Sequence, residues 1–132
     1  MEENGKNMIK YVKTRDSETY IHTSIINYLK LQYKDALYTS TMGGVYLGKK
    51  NYRQKKIMNT HYRKGVPDLL IFEPRGDFNG LMIEIKTKRG KVSKYQKEWN
   101  NMLNKRGYLA LITYGFEEAK NKIDKYLKYG ES

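Results

Sequence analysis

The chain has no cysteine in 132 residues, which excludes several kinds of chemistry at once. Disulfide bonds, zinc–thiolate sites and thiol nucleophiles all require that residue. Long apolar runs are also missing, because none approaches the ~18 residues that a membrane-spanning helix needs. The first residues, Met1 to Gly5, contain no apolar signal-peptide core. Together these absences favour a cytoplasmic protein.

Other common sources of catalysis are missing too. No glycine-rich loop has the spacing of a phosphate-binding P-loop, so an ATPase is not favoured. The histidines His22 and His61 are isolated in the sequence and lack the spacing of metal ligands, which predicts a structural or surface role for both. The sequence gives no support to a Ser-His-Asp nucleophile.

Acidic residues are scarce relative to basic ones: 14 Asp and Glu stand against 26 Lys and Arg, for a net charge of +12. This surplus predicts a polyanionic partner, nucleic acid first and an anionic membrane surface second. The basic residues are concentrated in two runs without acids, which flank the motif described below. The first run comprises Lys49, Lys50, Arg53, Lys55, Lys56, Arg63 and Lys64, and the second Lys86, Lys88, Arg89, Lys91, Lys94 and Lys97. We predict that both runs bind phosphates, whereas a solvated surface is the alternative for any single lysine.

The length favours one domain, predicted at residues 16–132 behind a loose arm at 1–15. Apolar periodicity and turn signals predict an α/β fold of order α-β-β-β-α-β-α, with a mixed central sheet flanked by helices on both faces. A capped helix is expected near Asp16 and Ser17, and its apolar stripe comprises Ile21, Ile25, Tyr28 and Leu29. A second helix at 93–106 should end near Gly107, and its apolar face comprises Tyr95, Trp99, Met102 and Leu103. A final helix follows Gly115 and carries the apolar residues Ala119, Ile123, Tyr126 and Leu127. The basic stretch 46–59 is compatible with a further helix.

The four predicted strands are 36–40, 68–72, 81–87 and 108–114. The link between the second and third strands is too short for a crossover, so these two should be antiparallel. Helix 93–106 should connect the third and fourth strands in parallel. Within the third strand, Glu84 and Lys86 are two residues apart and therefore share a face, opposite Ile83 and Ile85.

This arrangement points to metal chemistry. Adjacent antiparallel strands bring Asp68 and Glu84 together, and closely placed carboxylates repel unless a cation or a proton lies between them. A carboxylate within Leu-Met-Ile-Glu-Ile is also costly to bury without a partner. Lys86 could simply be that partner, but an ion pair leaves Asp68 without a role. A metal site with an adjacent ammonium uses all three residues and suits phosphodiester hydrolysis.

Two further residues have ordinary structural explanations. Glu18 lies in the first turn of a helix, where a carboxylate is favourable without any site. Gln96 can close a capping box with Ser93.

Three segments together resemble the VRR-NUC family, the virus-type replication–repair nucleases of the PD-(D/E)xK, restriction-endonuclease-like superfamily. The segments are Gly65-Val66-Pro67-Asp68, Ile83-Glu84-Ile85-Lys86-Thr87 and the downstream stretch 90–99, which contains Gly-x-x-Ser-x-x-Gln. The resemblance implies a restriction-endonuclease-like core. It also implies that Mg²⁺ or Mn²⁺ is held by Asp68, Glu84 and the backbone carbonyl of Ile85. Lys86 would orient or activate the attacking water, and Glu18 and Gln96 would complete the site.

The same resemblance implies a metal-dependent DNA endonuclease whose products carry a 5′-phosphate and a 3′-hydroxyl. Stand-alone relatives are small, often phage-encoded, and similar to resolvases of branched or four-way DNA, which implies DNA and a second copy of the chain as partners. Two alternatives stay open. One is a non-catalytic, basic nucleic-acid-binding module with Glu84–Lys86 as a structural ion pair. The other is a nuclease of different specificity: an exonuclease, a nickase or a flap nuclease.

Overall fold

The computed structural model describes residues 17–41 and 51–132. The predicted N-terminal arm at 1–15, Asp16, and the predicted phosphate-binding residues Lys49 and Lys50 lie outside these ranges. The described helices and strands are α1 (Glu18–Gln32), β1 (Tyr38–Ser40), α2 (Tyr52–His61), β2 (Leu69–Ile71), β3 (Leu81–Lys86), α3 (Lys94–Lys105), β4 (Leu109–Tyr114) and α4 (Gly115–Tyr129). The α/β fold is confirmed, and α2 forms within the basic stretch that the predicted order left open. None of the described helices has the length and apolarity needed to cross a membrane.

The strands form one mixed sheet in the order β1-β2-β3-β4. β2 pairs antiparallel with β1 and with β3, and β4 lies parallel to β3. Both pairings of β3 match the prediction, because a short turn joins β2 to β3 whereas a whole helix joins β3 to β4. The register places Leu69 opposite Ile83, so Asp68, just before β2, lies beside the end of β3.

One face of the sheet is covered by α1 and α4. The side chain of Ser17 accepts a hydrogen bond from the Tyr20 amide at 3.2 Å and caps α1. Ile21, Ile25 and Leu29 follow at four-residue spacing, and all three are buried because that spacing keeps them on one face of the helix. The predicted apolar positions of α4 are buried as well: Ala119, Ile123, Tyr126 and Leu127.

A polar cluster joins the two helices of that layer. The Asp124 carboxylate accepts hydrogen bonds from the hydroxyls of Tyr28 and Tyr33, each at 2.5 Å, and from the Lys120 ammonium at 3.2 Å. Burial raises the pKa of Asp124, but these three donors outweigh it and hold the pKa below its usual value. Charge-assisted bonds of this kind fix α1 against α4 more firmly than neutral ones.

The opposite face of the sheet faces α3. The side chains alternate along β3: Leu81, Ile83 and Ile85 join the core with α1 and α4, so Glu84 projects to the other side, toward α3. No residue of α3 is buried. Tyr95, which the sequence placed on the apolar face of this helix, is 50% exposed. One face of the sheet is thus covered by α1 and α4, and part of the other face, which carries α3, is open to solvent.

Candidate active site

Asp68 and Glu84 occupy one cleft on the open face of the sheet. The cleft has a volume of about 320 Å³, and both carboxylates line it. Asp68 is 1% exposed and Glu84 is 4% exposed. The pairing predicted from the order of the strands is therefore present, and it is deeply buried.

Each carboxylate uses one oxygen in a hydrogen bond and leaves the other without a partner. Asp68 Oδ2 accepts from the Ile85 amide at 2.9 Å, and Glu84 Oε1 accepts from the Gln96 side chain at 2.6 Å. The remaining oxygens, Asp68 Oδ1 and Glu84 Oε2, are buried and have no hydrogen-bond partner. An unsatisfied buried carboxylate oxygen is costly, and a hard divalent cation is a ligand that would satisfy both.

The Lys86 ammonium lies 3.4 Å from Glu84 Oε1, and its side chain is only 13% exposed. Lys86 therefore partners Glu84, as the ion-pair alternative requires. The ion pair engages only Oε1, however, and leaves Oε2 free. Both predicted roles of Lys86 are consistent with this geometry.

Gln96 combines its two predicted roles in one side chain. Its Oε1 accepts from the Ser93 amide at 2.9 Å, while the Ser93 hydroxyl accepts from the Gln96 amide at 3.1 Å, which is a complete capping box. Its Nε2 at the same time donates to Glu84. The start of α3 is thereby attached to the carboxylate of Glu84 through Oε1, while Oε2 has no partner.

His22 is the site residue that sequence reasoning missed. It is 8% exposed, and its Nε2 lies 3.4 Å from Asp68 Oδ2, 3.4 Å from the Ile85 carbonyl oxygen and 3.7 Å from Glu18 Oε1. The sequence predicted a structural or surface role for His22; the structure places it beside Asp68, on the same helix face as Glu18, four residues earlier. The other histidine, His61, is exposed at the end of α2, as predicted.

Glu18, His22 and Asp68 form a possible metal cluster, with one ligand atom from each lying within 4.8 Å of the others. Glu84 is not part of this tighter group, although it lines the same cleft as Asp68. The Ile85 carbonyl, the third ligand implied by the resemblance, faces His22 Nε2. The described residues therefore offer more oxygen and nitrogen ligands than the three that the motif predicted.

The pKa values report an excess of negative charge in the cleft. Burial, followed by the Asp68 charge, raises the pKa of Glu84 to about 8, although Lys86 opposes the shift. Burial lowers the pKa of His22, but its hydrogen bond with Asp68 and the charge of that carboxylate outweigh this effect, so the net shift is upward. Both groups thus favour an added proton, which indicates a site that would also attract a cation.

These shifts predict how the metal-free protein responds to pH. Glu84 has a pKa of about 8 in the fold against an ordinary value of 4.5, so the folded state binds more protons between those values. Stability should therefore fall as pH rises through that window, and the raised pKa of His22 acts in the same direction. In EDTA, we expect Tm to decrease by about 5 °C or more between pH 6 and pH 9.

Thermal unfolding followed by circular dichroism measures this effect. Glu84→Gln should flatten the decrease, because the variant has no proton to lose at that position. Glu98→Gln, which changes an exposed carboxylate of α3, is the matched control and should keep the wild-type profile. A wild-type Tm that is constant or rises over this range would contradict the assigned electrostatics.

The predicted phosphate-binding residues surround the cleft unevenly. Lys64 lines it, with its ammonium 5.8 Å from the centre of the Tyr95 ring, and the Arg63 guanidinium lies 5.1 Å from the Trp99 ring. The two basic runs therefore meet at the start of α3. Apart from Lys86, the remaining described members of both runs are exposed: Arg53, Lys55, Lys56, Lys88, Arg89, Lys91, Lys94 and Lys97.

Comparisons with known proteins agree with this architecture. A protein-family model described as the VRR-NUC domain matches residues 29–117. A solved structure of a VRR_NUC domain protein superposes with a TM-score of 0.67 at 28% sequence identity, covering 87% of this chain and 91% of the other. No curated protein matches the chain significantly.

Proposed function

The chain belongs to the VRR-NUC family, and we propose that it is a divalent-metal-dependent DNA endonuclease that hydrolyses phosphodiester bonds at the Asp68–Glu84 cleft. The observation that carries the proposal is the pair of buried carboxylates, each with one oxygen that has no partner. A non-catalytic binding module has no need for such a pair, because isolated buried carboxylates destabilise the fold. The nuclease-type fold of the family supports the same conclusion.

The donor set fits Mg²⁺ or Mn²⁺. Asp68 and Glu84 would hold the cation with the Ile85 carbonyl, and Glu18 and His22 are close enough to Asp68 to contribute. Oxygen ligands favour hard cations such as Mg²⁺, while a histidine nitrogen is also acceptable to Mn²⁺. When bound, such a cation supplies Lewis acidity toward the phosphate and lowers the pKa of a coordinated water.

Lys86 would act on the nucleophile. Its ammonium is held beside Glu84, where it can orient a water by hydrogen bonding and stabilise charge as the phosphate is attacked. Gln96 positions Glu84 through the 2.6 Å hydrogen bond. Hydrolysis in line with the leaving oxygen would leave a 5′-phosphate and a 3′-hydroxyl.

The basic surface would bind the DNA backbone. The end of the first run contacts α3 through Arg63 and Lys64. All residues from 51 to 64 are exposed. Helix α2 has no buried residue and no acid in its first turn. It therefore presents its cations to solvent, where they can neutralise phosphates without reading bases.

Removing Arg53 and Lys56 together should weaken DNA binding and reduce its salt dependence. Each phosphate contact to duplex DNA contributes roughly −0.9 to the slope of log K against log salt, so the double alanine variant should flatten the slope by about 1.8. The measurement is DNA affinity between low and moderate salt in EDTA. Lys125 and Lys128, two exposed lysines of α4, form the matched control pair. A double variant with the wild-type slope and affinity would remove α2 from the DNA footprint.

Branched or four-way DNA is the substrate class that we propose, with a two-fold homodimer because symmetric cleavage of a junction needs two active sites. The direct test incubates the protein with labelled linear, flapped and four-way DNA in Mg²⁺, Mn²⁺ or EDTA, with the mass in solution measured on the same sample. Cleavage in Mg²⁺ or Mn²⁺ but not in EDTA supports the nuclease. DNA binding without cleavage under any of these conditions supports the non-catalytic module instead.

A further inference from the structure

Two tyrosine rings line the same cleft as the carboxylates. Tyr62 directly follows α2, Tyr95 is the second residue of α3, and both line the cavity with Asp68 and Glu84. Tyr62 is 37% exposed and Tyr95 is 50% exposed, and neither belongs to the hydrophobic core. Large aromatic surfaces are therefore accessible next to the proposed reaction centre.

The wall that carries Tyr95 is fixed by a close backbone contact. Gly65 has a φ of +96°, and a Cβ at this position would lie 2.4 Å from the carbonyl carbon and oxygen of Tyr95. Only glycine permits that approach. Lys64 over Tyr95 and Arg63 over Trp99 make a second connection between the same two segments. The segment that precedes Gly65 is thus held against α3 without any substrate.

The Tyr62 side chain is also held in place, by a contact with Thr41. The Tyr62 side chain is hydrogen-bonded to Thr41, whose hydroxyl donates to the Pro67 carbonyl at 2.8 Å. Burial raises the pKa of Tyr62, and the negative charges of Asp68 and Glu84 raise it further. The hydrogen bond with Thr41 opposes this shift. The charges of the carboxylates therefore act on the Tyr62 hydroxyl, while part of the Tyr62 side chain remains exposed.

The two tyrosine side chains that line the cleft are not explained by binding of continuous duplex DNA. Phosphates are bound by cations, which the two basic runs already supply, whereas aromatic faces bind the faces of bases. In a continuous duplex those faces are covered by neighbouring base pairs. An unpaired nucleotide exposes its base, and stacking on an aromatic side chain contributes about 1–3 kcal/mol per base. Lys64, beside Tyr95, keeps a cation available for the adjoining phosphate.

We propose that Tyr62 and Tyr95 stack an unpaired base next to the scissile phosphate, so that the enzyme cuts DNA at positions that expose such a base. This inference rests on the proposed nuclease function and specifies its substrate class. Among branched substrates it favours flaps and unpaired junction nucleotides over fully paired duplex. The specificity then comes from base accessibility and not from base identity.

A binding experiment without metal tests the stacking separately from catalysis. The probe is flapped DNA with 2-aminopurine at the first unpaired position, titrated with protein in EDTA. Stacking in the wild-type protein should quench the fluorescence. Tyr95→Leu and Tyr62→Leu should each lose quenching and about 5- to 150-fold in affinity for this DNA, the range that corresponds to 1–3 kcal/mol. Tyr95→Phe and Tyr62→Phe keep the ring and should retain the wild-type signal.

Tyr129→Leu is the matched control, because Tyr129 is an exposed tyrosine at the end of α4 and lies outside the cleft. Circular dichroism establishes that each leucine variant is folded, and the phenylalanine variants keep the test valid if one is not. Wild-type quenching and affinity in both leucine variants would overturn the proposal. So would an equal loss in Tyr129→Leu.

Cleavage of matched substrates tests the position of the base. Replacing the first unpaired nucleotide with an abasic residue should lower kcat/KM for the wild type and have little further effect on Tyr95→Leu. Intact duplex should be cut poorly by both. If the leucine variants and abasic DNA behave as the wild type does while Mg²⁺-dependent cleavage persists, stacking is wrong and the nuclease function stands. If wild-type protein cleaves none of these DNAs, the nuclease function fails, and this substrate class fails with it.

Discussion

Replacing Asp68 with alanine is expected to reduce DNA cleavage by at least about 1000-fold, in the range seen when essential catalytic groups are removed. Asp68 is the carboxylate shared by the Glu18–His22–Asp68 group and the cleft, and its Oδ1 has no hydrogen-bond partner. DNA affinity should stay near the wild-type value or increase, because phosphate contacts come from the basic runs and a negative charge is lost. Single-turnover cleavage in Mg²⁺ and equilibrium binding in EDTA measure the two effects independently.

The interpretation of this variant needs a control for stability. Asp68 also accepts a hydrogen bond from the Ile85 amide, so the alanine variant loses a buried hydrogen bond as well as the proposed metal ligand. Asp68→Asn keeps an oxygen acceptor of the same shape and should lose cleavage just as completely. Asp35→Ala, which changes an exposed aspartate after α1, should cleave normally. Near wild-type cleavage by Asp68→Ala in Mg²⁺ would show that the site is assigned wrongly.

The second large effect is expected at Lys86. Lys86→Ala should lower kcat by about 100- to 10,000-fold, the usual contribution of a positioned acid–base group, while DNA affinity changes little. One phosphate contact among many contributes little to binding, whereas the Lys86 side chain is only 13% exposed and is paired with Glu84. Lys88→Ala is the matched control, because Lys88 lies two residues later and is exposed. That variant should affect affinity more than turnover.

Lys86 also influences Glu84, and the assay must separate the two roles. The Lys86 charge lowers the pKa of Glu84, so its removal moves that pKa further upward. Turnover of the variant should be compared at pH 7 and pH 9. A rate that recovers fully at pH 9 would mean that Lys86 only keeps Glu84 ionised. Equal losses in affinity and rate would instead make Lys86 a simple phosphate anchor.

Local sequence signals were sufficient to predict most of the fold. Strand β3 alternates Leu81, Ile83 and Ile85 with Met82 and Glu84, so the period of two sets both its type and its orientation. The predicted caps of α1 and α3 and the apolar stripes of α1 and α4 reflect interactions within about four residues. The type of pairing between strands followed from the length of each connection. These features depend on interactions between residues that are close in the sequence, so they can be predicted from a single sequence.

The pairing of Asp68 with Glu84 could also be predicted, because it follows from adjacent antiparallel strands. His22 could not be identified in the same way. Its contact with the Ile85 carbonyl joins residues 63 positions apart, and nothing local to His22 specifies that α1 crosses the end of β3. The Glu18–His22 spacing was the available signal, but one turn of a helix with two polar residues is common.

Tyr95 illustrates the opposite problem. Its spacing to Trp99 is that of an apolar helix face, which is usually the face that packs against a core. The ring is exposed in the structure because the first turn of α3 contacts the segment at Gly65 and borders the cleft. Periodicity distinguishes the faces of a helix, but it does not tell whether a face is covered by a core or left open beside a site.

The most direct test of the account is a measurement of Mn²⁺ binding, made by electron paramagnetic resonance at pH 8 without DNA. The proposed nuclease activity requires a cation held by Asp68 and Glu84. Wild-type protein should therefore bind Mn²⁺ saturably, and Asp68→Ala and Glu84→Ala should each weaken binding by at least about 100-fold, the upper end of the effect seen even for residues that only support metal ligands. Glu98→Ala should bind as the wild type does. Equal Mn²⁺ affinity in all four proteins, or no binding by the wild type, would contradict the central claim.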